Sequence, residues 1–191
     1  MSLLPRRHGP PGPVALNDRT YVRLFFLSGT GLISHGACAR YPSAAQDAQG
    51  RLAMTFQKTI AVSTSGHGDI HDLTDEVAGI VTGSGITTGT VHVFNVGSTG
   101  AIGTIEFEPG LGRDLPEILD KLIPPRRDYG HEEMWHDGNG HSHLQATWLG
   151  PSLTVPVTGG RIAVGRWQQI FLLECDIRPR NRTVVVTVSG E

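Results

Sequence analysis

Cysteine is nearly missing from this chain. Only Cys38 and Cys175 occur, and no Cys-x-x-Cys pair is present. That leaves no disulfide framework and reads as a protein of a reducing compartment, the cytoplasm, with Cys175 an apolar-like buried residue at the end of a strand pattern. No apolar run approaches the ~18 residues that a membrane-spanning helix needs. Net charge is also scarce. A formal charge of -2 and a pI near 6.5 give no general electrostatic reason to expect nucleic acid or an anionic membrane as partner. The Walker loop, the dinucleotide glycine fingerprint, HExxH and GxSxG are all lacking. Nucleotide-cradling, zincin and serine-hydrolase chemistry therefore have no sequence support.

Glycine and proline, by contrast, are plentiful, at 25 and 12 of 191 residues. They favour a turn-rich, strand-containing fold over a helical bundle. A hydrophobic content of 38% with a mean hydropathy of -0.12 suits a soluble protein with a moderate core. The length fits one domain, with room for an appendage. Composition changes near residue 53. Residues 1–53 hold six arginines against two acids, whereas residues 54–191 hold ten Lys/Arg against sixteen acids. The first segment also contains PRRHGPPGP, which no regular element tolerates. It reads as a disordered N-terminal extension or as a misassigned start with Met54 the true initiator. A third reading is a signal peptide with 37-ACA-39 imitating a cleavage site, although its basic region would be long and broken by proline.

From Met54 onward the signals become regular. Phe56 and Thr59–Ser63 read as a strand. In 69-DIHDLTDEVAGIVTGSG-85, Ile70, Leu73, Val77 and Ile80/Val81 recur at helical intervals, with Asp72 or Thr74 as cap and Gly85 as terminator. Gly89–Val96 alternates and is β-branched, so it is a strand. For 113-RDLPEILDKLIP-124 the pattern predicts a helix with Asp114 at the N-cap, Glu117 as box partner, Pro116 in the first turn and Pro124 as stop. A short helix over 144–150 and strands over Leu153–Val157, Arg161–Val164, Gln169–Glu174 and Thr183–Ser189 follow, with 158-TGGR-161 as a hairpin link. Two or three helices and about six strands make an α+β fold, a compact single-domain sandwich of mixed or antiparallel strands.

Several segments carry chemistry. Four of the nine histidines, His131, His136, His141 and His143, crowd into 129-YGHEEMWHDGNGHSHLQ-145. On an extended backbone His141 and His143 would share a side. A metal there would recruit His131, His136 or Asp137 as a further ligand. The alternative is a polar surface loop whose histidines cap turns. In 97-GSTGAIGTIEFEPG-110, Ser98 and Thr99 could supply hydroxyls to an anion cradle, or the segment is an ordinary glycine-rich turn. Glu106 and Glu108 would face one side of a following strand, where one could act as general base or metal ligand, or both are simply solvated. Trp167 reads as core or interface, and Gln168 as an amide needing a partner if buried. The three arginines of 178-RPRNR-182 read as an exposed basic turn, or as guanidinium recognition of phosphate.

The motifs HDLTDEV, STGAI, RDLPEIL, DGNGHSHL, LGPSLTVPV, GRIAVGRWQQIFLLE and RTVVVTVSGE, in that order over Thr55–Glu191, resemble the YjbQ-like family, whose members are often labelled secondary thiamine-phosphate synthase. The resemblance implies a homotrimeric α+β domain with a pocket that takes a metal or an anion. By resemblance His131 and His143 match the family's loop histidines, Asp137 and Asn139 the residues between them, Glu106 the acid after the strand, and Trp167 and Gln168 its Trp-Gln pair. One departure stands out. Many members carry His-Thr-Thr where this chain has Gly97, Ser98 and Thr99, so His141 would supply a relocated imidazole.

The implied activity joins a pyrimidine pyrophosphate to a thiazole phosphate. On that reading Glu106, Asp137, Asn139 and Gln168 are catalytic. His131, His141 and His143 hold a divalent ion, zinc or magnesium. Ser98 and Thr99, with Arg113 or Arg166, hold a phosphate. The partner is a small phosphorylated molecule. The competing expectations are a non-catalytic, trimeric metal- or anion-binding protein and a metal-assisted phosphoester hydrolase.

Overall fold

A computed structural model describes residues 54–126 and 128–191. The readings made above for residues 1–53 lie outside the described residues. Eight strands and four helices follow in the order β1 (Met54–Ser63), β2 (Ile70–Asp72), α1 (Thr74–Ser84), β3 (Thr88–Asn95), β4 (Gly100–Ile105), α2 (Pro109–Leu122), α3 (Glu132–Trp135), α4 (Gly140–Leu149), β5 (Ser152–Thr158), β6 (Arg161–Ile162), β7 (Gln169–Glu174) and β8 (Asn181–Gly190). The fold is α+β, as expected, with a fourth helix beyond the expected two or three. Every strand pairing is antiparallel rather than mixed.

The strands form two sheets, one in the order β1-β8-β3-β5-β6 and one in the order β2-β7-β4. Strand alternation explains how they pack. On β8 the even residues Val184, Val186 and Val188 are fully buried, and on β3 Val91 and Val93 point the same way. They meet Ile170 and Leu172 of β7 and Ile102 of β4, with Val77, Ile80 and Val81 of α1 closing the core. The odd residues of β7, Phe171 and Leu173, and then Cys175, face the other way and pack on Leu119 of α2 and Ala146 of α4. β7 is therefore covered on both faces. That is why its sequence, QIFLLE, is a continuous apolar run instead of an alternating one.

Local signals set the element ends. The Asp72 carboxylate accepts the first amide of α1, that of Thr74 (2.8 Å), and Gly85 ends the helix in the left-handed region at φ 72°. The turn between β5 and β6 needs positive φ at two successive positions, which Gly159 (58°) and Gly160 (72°) supply. The second helix departs from expectation. It begins a turn earlier, at Pro109, because Glu108 accepts from the Gly110 (2.6 Å) and Leu111 (2.5 Å) amides. Pro116 therefore lies inside the helix and Asp114 is not its cap. Glu108 is a capping residue and not the strand partner of Glu106. At the opposite edge, β1 runs along the whole of β8, Met54 facing Gly190 and Ser63 facing Asn181.

Leu172 is fully buried where the two sheets meet. Leu172→Ala is expected to cost about 3 kcal/mol of unfolding free energy, the cost of a core cavity, measured by urea denaturation. A loss below about 1 kcal/mol, the scale of a surface change, would contradict this packing.

Candidate functional site

The inward rows of β7 and β8 are apolar until their last members. After Ile170 and Leu172 comes Glu174; before Val184 comes Arg182. Strand alternation forces both into the space between the sheets, with Glu174 0% and Arg182 7% exposed. They form a bidentate pair, Arg182 Nε donating to Glu174 Oε2 (2.7 Å) and Nη2 donating to Oε1. Such a planar fork matches a carboxylate closely. Glu174 also accepts from the Thr64 hydroxyl (2.8 Å) and the Asp176 amide (2.7 Å), so its buried oxygens are satisfied.

The pair organises its surroundings. Arg182 Nη2 reaches the carbonyl (3.1 Å) and hydroxyl oxygen (2.8 Å) of Thr99. The Thr99 hydroxyl in turn donates to Asp176 Oδ2 (3.0 Å). That same carboxylate oxygen accepts from Arg180 Nε (3.0 Å) and Nη2 (2.7 Å), and Oδ1 accepts from the Arg178 amide (3.2 Å). Burial opposes the charge of Asp176, yet the Arg180 guanidinium, the Arg178 amide and the Thr99 hydroxyl together hold its pKa below the usual carboxylate value.

Above this network opens a cleft of about 440 Å³. Gly97, Ser98 and Thr99 form one wall, Asp176 and Arg180 through Arg182 another, and Asn139 and His143 a third. The hydroxyl-bearing turn and the histidine loop therefore meet at one cleft, the loop through Asn139 and His143. The basic segment 178–182, which also reads as an exposed turn, contributes two guanidiniums to the cleft. The signal for Arg182 was its even position in the β8 alternation.

The histidine loop is held by Glu132. Its carboxylate accepts from the Gly138 (2.7 Å) and Gly140 (3.0 Å) amides. The Gly138 bond does most to lower its pKa, against burial and with help from Gly140. Gly140 starts α4, which is a correction: His141 and His143 lie on a helix and not on an extended segment. Two residues along a helix are about 200° apart, so the two rings point in different directions. His143 faces His131 at a ring separation of 4.6 Å, and His131 Nε2 lies 3.5 Å from Asp137 Oδ1. His141 turns inward, 1% exposed, edge-on to His67 at 5.3 Å. His67 in turn contacts Asp120 (2.8 Å), which also accepts from Gln145 (2.9 Å). Burial, reinforced by the adjacent imidazole, lowers the pKa of His141 and of His143.

This arrangement bears on the expected metal. Asp137 Oδ1 makes no hydrogen bond beyond its 3.5 Å approach to the His131 ring, which would suit a cation. Yet His141 lies on the other side of the helix from the His131–His143 pair, and among the described residues no three His, Cys, Asp or Glu side chains gather to hold an ion. The triple His131, His141, His143 does not fit a single metal centre.

Four other expected site residues lie away from the cleft. Gly100, at one end of β4, adjoins it. Ile105, at the other end, is roughly 17 Å along the strand at ~3.3 Å per residue. Glu106 follows Ile105 and is exposed. Gln168 sits at the same end, donating to Thr104 (3.2 Å) and accepting from the Gly165 amide (3.0 Å). Arg113, on α2, and Arg166, stacked 4.7 Å over Trp167, do not line the cleft. Trp167 is 61% exposed and not part of the core. This end has its own, more apolar groove of about 440 Å³, lined by Ile70, Ile105 and Phe107.

Two outcomes follow. Glu174→Gln leaves the buried Arg182 without its counter-charge and is expected to cost about 3 kcal/mol in chemical denaturation; a loss under about 1 kcal/mol contradicts the arrangement. Because the folded pKa of His141 and His143 is lowered, the unfolded chain binds protons more readily there. Their contribution is whole above about pH 6.5 and declines as pH falls from there toward the folded value. The urea midpoint should therefore be lower at pH 5 than at pH 7.5, and His141→Asn should reduce that difference. An undiminished difference in the variant would show that other groups cause it.

Comparison with known proteins places the chain in a family. The family described as UPF0047 protein YjbQ-like matches residues 58–191. A UPF0047 protein of Methanothermobacter thermautotrophicus is 39% identical over 136 residues, covering 71% of this chain and 93% of that protein. The UPF0047 protein YjbQ of Salmonella typhimurium is 31% identical, covering 72% and 100%. Among solved structures, a YbjQ-like protein of unknown function from Sulfolobus solfataricus has a TM-score of 0.69 at 36% identity, covering 73% of this chain and 99% of that one. A hypothetical protein from Aeropyrum pernix has a TM-score of 0.66 at 33% identity, covering 71% and 98%. With its fold, its motif order and these matches in agreement, the chain belongs to the YjbQ-like UPF0047 family.

Proposed function

We propose that the cleft binds a small phosphorylated molecule, and that the protein acts there as a thiamine-phosphate-synthase-like transferase. The observation that supports this is the convergence of Ser98, Thr99, His143, Arg180 and Arg182 on one cleft. Hydroxyls and guanidinium N–H groups around a concave site are what a phosphoryl group requires. The two acids beside them, Asp176 and Glu174, are each engaged by an arginine, so neither presents an unpaired negative charge to an incoming anion.

In the proposed reaction the thiazole nitrogen attacks the pyrimidine methylene carbon. A C–N bond forms, the C–O bond to pyrophosphate breaks, and the electron pair leaves with pyrophosphate. No protein nucleophile is needed. The residues here would orient the two anions and receive the leaving oxygens. Burial favours the uncharged form of His143, which leaves it one ring N–H to donate and one ring nitrogen to accept. The three histidines do not surround one point, so these roles fall to the chain's own side chains. The reading includes assembly as a homotrimer, supported by exposed Met134, Trp135, Trp148 and Trp167. A neighbouring copy could then bring its Glu106–Gln168 end to this cleft.

Calorimetric titration with pyrophosphate tests the binding step. Arg180→Ala is expected to weaken it about tenfold, the worth of a charge-assisted bond, and chelation beforehand is expected to leave it unchanged. Loss on chelation would return a divalent ion to the site. Thiamine phosphate formation, measured beside His143→Ala, tests the chemistry. Tight binding with equal trace rates in both proteins would favour the non-catalytic anion-binding reading.

A further inference from the structure

Gly97 precedes Ser98 and Thr99 at the mouth of the cleft. A Cβ built on it would lie 2.8 Å from Arg182 Nη1 and 3.6 Å from Asn95 Nδ2. Real Cβ contacts essentially never fall below 3.0 Å, so a side chain here forces one partner to move. The tip of an arginine usually gives way easily. This one is pinned: its Nε is committed to Glu174 (2.7 Å), and its Nη2 to Glu174 and to both Thr99 oxygens. The guanidinium is planar and rigid. With two nitrogens fixed, the direction of the third is fixed as well, and Nη1 is the nitrogen beside Gly97 at the cleft wall.

We propose that Arg182 Nη1 is a direct donor to the oxyanion of the ligand, and that Gly97 is the specificity-determining residue that leaves it room to do so. The inference rests on the phosphate-binding reading above and names its contacts. Because Glu174 already neutralises Arg182, the group offers two directed N–H bonds more than net charge. It therefore selects for an oxyanion with several acceptor oxygens, a phosphate or pyrophosphate group, over a spherical anion such as chloride. In this chain, with Nη1 held in place, only a residue without a Cβ at position 97 avoids the contact. The φ of Gly97 is not in the positive range, so alanine is compatible with the backbone and any effect comes from the displaced guanidinium.

The experiment is a calorimetric titration of inorganic phosphate into the full chain and into Gly97→Ala, at fixed chloride concentration. The variant is expected to bind about tenfold more weakly, the loss of a hydrogen bond to a charged group. Affinity within about threefold of the parent, a difference of under ~1 kcal/mol, overturns the inference and leaves the phosphate-binding reading standing. No binding by the parent removes that reading, and the inference with it. Should the variant fail to fold, the parent alone decides: the arginine side-chain N–H resonances of Arg182 should shift as phosphate saturates the protein, and unmoved resonances overturn the proposal.

Discussion

Arg182 and Glu174 meet where the apolar rows of two sheets run out, and the cleft is built around that contact. A charge buried this deeply is tolerable only with a partner of excellent geometry and with its remaining bonds satisfied. Both conditions are met, since Thr64, the Asp176 amide and Thr99 complete the set. The pair also ties β7 to β8, strands of different sheets, at the point where hydrophobic contacts between them end. Thr99 is drawn in by the same guanidinium, and through its hydroxyl it positions Asp176 and then Arg180. The chain from core to cleft is continuous, so the positions of the polar groups at the surface are inherited from the packing beneath them.

The two faces of β7 illustrate how one strand can serve both structure and site. Its even side belongs to the inter-sheet core and ends in a charge; its odd side carries the helical layer of α2 and α4 and ends in Cys175, whose thiol burial pushes up to about 12. α4 rests on that layer and presents opposite sides of its first turn to different surroundings. His143 goes to the cleft, and His141 goes to an interior cluster with His67, Asp120 and Gln145.

Much of this was readable in the residues. The periodicity around Val77 and Ile80 gives α1, and β-branched alternation gives β3, β5 and β8. The meeting of Ser98 and Thr99 with His143 was legible too. What escaped depended on contacts distant in sequence. Gly140, His141 and Ser142 are weak helix formers, and a carboxylate eight residues upstream starts the helix they belong to. Pro116 imitates a first turn because Glu108, a stronger cap, lies outside the window that the helical pattern suggests. Glu106 and Gln168 carry the chemistry expected of a site. The length of β4 separates them from the cleft within one copy of the chain, a distance that residue types alone do not reveal. Arg182 was misleading for a different reason: local composition points to a basic turn, whereas the two-residue rhythm of β8 points inward.

The pairing of β1 with β8 has a topological consequence. Met54 lies opposite Gly190, one interstrand spacing of about 5 Å apart, so the described chain begins and finishes at neighbouring positions in the same sheet. The described residues form nearly a closed circuit. Within residues 54–191, a short peptide bridging Glu191 to Met54, with new ends opened in the Gly159–Gly160 turn, would keep every strand neighbour and leave the Arg182–Glu174 contact untouched.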